Sequence, residues 1–313
     1  MIIDKAAFER YRRSPNARTT PLRLLFGTAI VVLFWMATTL AVLLGGTYAF
    51  VVWRASIGGT AAGGPVQNFL ASPEGILTAL VSFAGIWIGL WFAMRFVHRE
   101  PLAALVGDSS RVSWPGFLKG LIAVLITSLF SEILLYWLQP EIARGAIGLS
   151  TWLLFLVPIV LLALLQTSSE EALFRGYLLR GLANRFSNPL IWAGLPLLLF
   201  SALHWGASST LAINACVLVS IASFALVLTL LVYATGNLGV AFGAHLGNNL
   251  TGFLLISHQE SYNSFALFNA KPLEGPGWTG FDAVLIAAIG IVSSLLTAVL
   301  LLHPRSPLRV RPA

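Results

Sequence analysis

Two acids and an arginine lie within six residues in Ser168-Ser169-Glu170-Glu171-Ala172-Leu173-Phe174-Arg175-Gly176, directly after the apolar run from Leu153 to Leu165. An ionised side chain at the centre of a membrane helix costs roughly 3 kcal/mol on insertion scales, so an acid there marks a functional site by default. On a helix, Glu171 and Arg175 are four apart and share a face. Glu170 is rotated from Glu171 by about 100°. The two acids therefore divide the work. Arg175 pairs with Glu171 and fixes it, while Glu170 faces a polar cavity and stays available for general acid–base chemistry. A structural ion pair at the membrane edge would use the same residues, so the motif does not decide alone.

Two further polar groups sit in apolar runs. Phe200-Ser201-Ala202-Leu203-His204 ends one run, and His245-Leu246-Gly247-Asn248-Asn249 lies inside another. His245 and Asn249 are four apart and address one face. Gly239, Gly243 and Gly247 form a ridge at the same spacing, roughly opposite by helical angle. Small residues at that spacing let helices approach closely. This helix is expected to pack by its glycine back and to present His245 and Asn249 in front.

The elements that position these groups are membrane helices. The 313 residues are 57% hydrophobic and only 10% charged, with mean hydropathy +0.84. A soluble domain carries about 25% charged residues. The apolar runs are continuous, unlike the alternation of a membrane barrel. The fold class is all-α, a polytopic transmembrane helix bundle with about eight spanning helices. The expected spans are about 22–53, 75–97, 116–138, 150–185, 189–205, 211–234, 238–257 and 281–302. The fourth must be long and continue to about Arg185, or Glu170 and His204 cannot meet. Residues 1–21 form a basic tail with Lys5, Arg10, Arg12, Arg13 and Arg18 against Asp4 and Glu9, and 303–313 form another with Arg305, Arg309 and Arg311. Between the tails, 22–302 is one transmembrane domain. The segments 54–74 and 258–280 read as loops, the second carrying Tyr262, Phe265, Phe268, Pro272, Pro276 and Trp278.

With both termini cytoplasmic, fifteen of the nineteen Lys and Arg fall on the inner side, leaving Arg54, Arg144, Arg175 and Lys271. The net charge of +7 is thus an orientation signal, and no aromatic-interleaved basic face points to nucleic acid. The single Cys216 excludes an internal disulfide and a cysteine-rich metal site. Glu132, on the third span, is expected to hydrogen-bond to a neighbouring helix. No internal repeat suggests an inverted-repeat transporter.

Glu170-Glu171-x-x-x-Arg175, then Phe200-x-x-x-His204, then His245-x-x-x-Asn249, in order on three separate spans, resembles the CAAX protease and bacteriocin-processing (CPBP, or Abi) family of intramembrane proteases. That family includes the type-2 CAAX prenyl endopeptidase. The resemblance covers about 150–257, and the continuation Phe174-Arg175-Gly176 fits it too. It implies peptide-bond hydrolysis beside or within the bilayer, on a membrane-associated protein or peptide. Glu170 would activate water with His204, and His245 and Asn249 would donate to the oxyanion. It equally implies a second mechanism in which His204 and His245 hold Zn²⁺ with a carboxylate. Arg175 supports Glu171 in either. The expected surroundings are membrane lipids and a prokaryotic plasma membrane. Two rivals remain at this point. Gly206-Ala207-Ser208-Ser209 follows His204 but reads as a turn, not as a serine-protease motif. A transporter or immunity-type protein would use the same groups for ions or partners.

Overall fold

The computed structural model describes residues 5–13, 17–58, 64–259, 262–274 and 277–311. Asp4, Pro276 and parts of the 54–74 and 258–280 segments lie outside them. The helices, in order, are α1 (Lys5–Arg12), α2 (Pro21–Ser56), α3 (Pro65–Leu70), α4 (Pro73–His98), α5 (Trp114–Leu138), α6 (Leu149–Arg185), α7 (Leu190–Ala202), α8 (Leu211–Thr235), α9 (Gly239–Leu250) and α10 (Gly280–Leu302). Short polar side chains start several of them. Thr20, Ser113 and Thr210 each accept a bond from a backbone N–H in the first turn, and Thr279 with Asp282 forms a capping box. Gly236, at φ +63°, ends α8 in the left-handed region that glycine tolerates.

Among the described residues, six helices are long and apolar enough to cross a membrane: α2, α4, α5, α6, α8 and α10. The protein is a multi-pass membrane protein. The sequence reading expected eight spans, and the two that fall short are α7 and α9. The α7 run has a five-residue π-helical start and eight α-helical residues, ending at Ala202 rather than Trp205. In α9, 12 α-helical residues give way to a π-helical turn, Thr251–Leu255. Twelve residues rise about 18 Å, against a hydrocarbon core of about 30 Å. The α7 run has a span's apolar composition without its length, while α9 is both shorter than a span, even with its π-helical turn, and diluted by His245, Asn248 and Asn249.

The expected long fourth span is present as α6, 37 residues from Leu149 to Arg185. Its α-helical part ends at Glu171 and widens into a π-helical stretch, Ala172–Leu179.

The glycine ridge of α9 packs as expected. A Cβ at Gly239, Gly243 or Gly247 would run into the backbone of Ser113, Phe117 or Leu121. Gly120 on α5 answers by admitting the backbone of Val240 and Ala244. At one end of the bundle, three short strands form a sheet ordered β1-β3-β2, with β1 (Ile142–Arg144) antiparallel and β2 (Ile256–Ser257) parallel to β3 (Phe268–Ala270). At the other end, α1 and the C-terminal segment meet the helix ends: Arg10 pairs with Asp108 at 2.9 Å, and Lys119 Nζ donates to the Arg309 carbonyl at 2.7 Å. Both basic terminal segments thus lie at one end. The segment 1–21 is more than a tail, since α1 is helical and buries Ala7, Phe8 and Tyr11.

Gly243→Val should prevent α9 from seating on α5, because the atoms in the way are backbone and cannot move aside. The expected result is loss of monodisperse folded protein in detergent. Gly252→Ala, where open space surrounds the new methyl, should leave the thermal midpoint within about 2 °C. Size-exclusion profiles and thermal melts of both variants check this.

Candidate active site

The acids stand where α6 changes pitch. Up to Ser169 its hydroxyls fold back on their own helix: Thr167 to Ala163, Ser168 to Leu165 and Ser169 to Gln166 carbonyls. They satisfy themselves locally and leave the acids as the groups that reach outward. Glu171 is fully buried and Glu170 nearly so, at 0% and 9% exposure.

Glu171 is the hub. Its Oε1 accepts from Arg175 Nη1 at 2.8 Å and from His245 Nδ1 at 2.9 Å. The pairing of Arg175 with Glu171, read from their spacing, is therefore present. The guanidinium is held twice more, by a 3.1 Å bond from Nη2 to the Ala225 carbonyl on α8 and by lying 4.6 Å from the Phe200 ring centroid. A carboxylate paired with arginine only accepts, so His245 Nδ1 carries a hydrogen. Its Nε2 then faces Glu170, 3.6 Å from Oε2. The two acids meet the same imidazole from its two nitrogens, a convergence that a 100° rotation on α6 did not suggest.

Asn249 joins through a residue the sequence reading passed over. Its Nδ2 donates to Gln166 Oε1 at 3.3 Å, and the Gln166 side chain hydrogen-bonds to Glu170. Gln166 lies one turn before Glu170, so the helical period was its only signal. Asn248 Nδ2 is 3.4 Å from Asn249 Oδ1. His204 sits in the turn after α7, exposed, with Nδ1 donating to the Phe200 carbonyl at 2.9 Å. It makes no hydrogen bond or ion pair with Glu170 among the described residues. The Phe200 ring connects it to the group, with centroids 4.9 Å from the His204 ring and 5.8 Å from that of His245. The structure thus brings Glu170, Glu171, Arg175 and His245 together directly, Asn249 through Gln166, and His204 through Phe200.

These side chains do not make a zinc ligand set as placed. A catalytic zinc takes three protein ligands, and among the described residues no group of three or more His, Cys, Asp or Glu is arranged to hold a metal ion. Nδ1 of each histidine is bonded, His245 to a carboxylate and His204 to a carbonyl, which leaves Nε2 of each as the ring nitrogen through which it would meet a further ligand.

Ser209 lies in a turn closed by Asn214, which bonds to both the N–H and the carbonyl of Gly206, and its hydroxyl goes to the Leu273 carbonyl. That placement suits the turn reading. Glu132 accepts from His258 Nε2 at 2.9 Å, in the segment after β2 rather than on a neighbouring helix. Arg180 and Glu100 form a second buried ion pair, with both Nη atoms 3.2 Å from Glu100 Oε2. No motif in the sequence announced it.

Residues 149–251 match the family described as type II CAAX prenyl endopeptidase Rce1-like. That segment contains all six candidate site residues, from Glu170 to Asn249. The family is a protease family, which the motif resemblance had implied. "Uncharacterized protein YyaK" of Bacillus subtilis (strain 168) is 25% identical over 202 residues, 63% of this chain and 67% of that protein.

Arg175→Met should cost about 3–5 kcal/mol, because it strands the Glu171 charge in the interior. Adding Glu171→Gln should recover part of that loss, since the uncompensated charge is then gone. Thermal melts of the two single variants and the double variant measure the coupling.

Proposed function

We propose that the chain is a CAAX-type intramembrane endopeptidase that hydrolyses a peptide bond of a membrane-associated protein or peptide. The observation that carries this reading is the arrangement of Glu170. It is a nearly buried carboxylate, outside the Arg175–Glu171 ion pair yet held beside it by His245 and Gln166. Glu171, paired with a cation, is committed to structure. Glu170 is the acid left to do chemistry.

In the proposed cycle, the Glu170 carboxylate takes a proton from water as the water oxygen bonds to the scissile carbonyl carbon. The carbonyl π electrons move to oxygen and form the tetrahedral oxyanion. The electrons then return, the carbon–nitrogen bond breaks, and Glu170 gives its proton to the departing nitrogen. Asn249, whose amide has a second N–H beyond the one given to Gln166, serves the oxyanion. Such a donor contributes about 3–4 kcal/mol in soluble proteases. His204, with Nδ1 given to Phe200, offers Nε2 to the water.

His245 takes a different role from the oxyanion donor implied by the family resemblance. As a neutral imidazole its one N–H goes to Glu171. As an imidazolium its second N–H faces Glu170. In both states it positions the acids. The proposal extends to a prokaryotic plasma membrane, with the α1 end of the bundle cytoplasmic, as its basic residues favour.

The test uses the full-length protein in detergent or proteoliposomes with two internally quenched CAAX peptides, one farnesylated and one unmodified. Wild type should cleave at least the farnesylated peptide. Glu170→Gln should lower kcat by about 10³-fold, within the usual range for loss of a general base, with an unchanged thermal midpoint. A zinc chelator should leave turnover intact. If neither peptide is cleaved, and Glu170→Gln instead destroys folding, the acid is structural and the transporter or immunity-type reading replaces this one.

A further inference from the structure

The polar segment before the first span is built into the end of the motif helix. Tyr11, 2% exposed, points its hydroxyl at two carbonyls, Leu105 at 2.7 Å and Arg175 at 3.2 Å. The backbone of α1 is gripped in return. Arg180 Nε donates to the Tyr11 carbonyl at 2.9 Å, and Asn184 Nδ2 to the Arg12 carbonyl at 3.0 Å. Arg12 Nη1 donates to the Ala183 carbonyl at 2.7 Å. Buried Glu100 holds the guanidinium of Arg180 that reaches Tyr11. On its other side α1 seats Phe8 against Trp192 and Tyr233, with ring centroids 5.2 and 4.8 Å apart, and the bare Cα of Gly236 lets Ala7 come close. The Arg10–Asp108 pair is about half exposed on both sides and adds little.

The place where Tyr11 lands gives these contacts meaning. Arg175 lies within the π-helical stretch Ala172–Leu179. Wide turns of this kind often sit at functional sites, and this is the longest of the π-helical stretches among the described residues. The phenol's single O–H goes to Leu105 and is shared, at 3.2 Å, with the backbone of the residue whose side chain holds Glu171. Burial pushes the Tyr11 phenol well above its ordinary pKa, and the nearby Arg180 charge offsets this only in part. The hydroxyl therefore keeps its hydrogen and remains a donor. An amphipathic turn that only covered the helix ends would need Ala7 and Phe8, but not a hydroxyl aimed at this carbonyl.

We propose that α1 is an intramolecular brace for the catalytic group, with Tyr11 a positioning residue that fixes the Arg175 backbone and, through the Arg175 side chain, Glu171 and His245. The consequence for turnover rests on the protease reading; the consequence for local structure does not.

Tyr11→Phe keeps the buried ring and removes only the hydroxyl. In the full-length protein in detergent, amide exchange across Ala172–Leu179 should quicken about tenfold, as expected when buried carbonyls lose their donor. Exchange in α9 and α10 should stay unchanged. With the farnesylated peptide, kcat should fall about five- to tenfold while KM stays within about twofold. Arg12→Gln, which removes the rung at Ala183 and leaves the phenol in place, should leave exchange at 172–179 unchanged. Unchanged exchange at 172–179 in Tyr11→Phe overturns the proposal. So does quickening that spreads equally through α9 and α10, or an equal effect from Arg12→Gln. If exchange responds as expected while wild type cleaves neither peptide, the brace stands and the protease reading fails.

Discussion

Everything in the centre of this molecule depends on one buried carboxylate oxygen. Glu171 Oε1 receives both the Arg175 guanidinium and the His245 imidazole, while Oε2 is buried without a hydrogen-bond partner among the described residues. Removing a carboxylate from water is expensive, and only a close countercharge with good geometry offsets it. Arg175 supplies that charge and is itself almost wholly buried, with 1% exposure. Its remaining partners, the Ala225 carbonyl and the Phe200 ring, come from α8 and α7. Three helices are thereby committed to one geometry before any reacting group is considered. His245 adds α9 as the fourth.

For α9 to deliver His245, its backbone must lie almost in contact with α5. The ridge of Gly239, Gly243 and Gly247 makes that approach possible, and Gly120 completes it from the opposite side. Dispersion forces at such short range drive helix association in lipid, where no hydrophobic gradient exists between helices. The ridge sets the position of α9, and His245, on its other face, inherits that position. The glycines therefore act on the position of His245 at a distance, through packing alone.

Much of this was legible in the sequence because it is written in local spacing. The Glu171–Arg175 pair, the His245–Asn249 face and the glycine ridge follow from the helical period, and the long α6 from counting the length needed to bring its acids toward the end of the next run. What escaped is of two kinds. Contacts between residues far apart in the chain leave no periodic trace. Tyr11 with Arg175, Arg180 with Glu100 and Glu132 with His258 each join positions from different segments. Hydropathy also reports composition, not depth. It made spans of 189–205, which is as apolar as a spanning helix but too short, and of 238–257, where His245, Asn248 and Asn249 dilute an otherwise apolar run. The convergence of Glu170 and Glu171 on one histidine was hidden because an angle measured on α6 says nothing about the size of the group facing it. An imidazole presents a nitrogen to each side and can satisfy both acids at once.

The two short helices also explain how a polar site can exist at membrane depth. Backbone that is not part of a spanning helix must be buried in protein or line a polar cavity. The middle of α9 meets this condition by packing on α6, where acids, amides and the His245 imidazole satisfy one another, and α7 contributes buried Phe200 and Ser201 before the chain turns outward at Ala202. The resulting site is asymmetric. Glu171, Arg175 and His245 form a closed side with almost no exposure. Asn248 and His204 are exposed, and His204 stands between exposed Leu203 and Trp205. Glu170 lies between these two sides, supported by the first and facing toward what the second admits. A group held by a buried ion pair keeps its position while its proton comes and goes. In the proposed hydrolysis, reactants approaching from the His204 side would meet Glu170 before they reach the Glu171–Arg175 pair. On that proposal the order separates the fixed charge from the reacting one, although the two acids are adjacent in the chain.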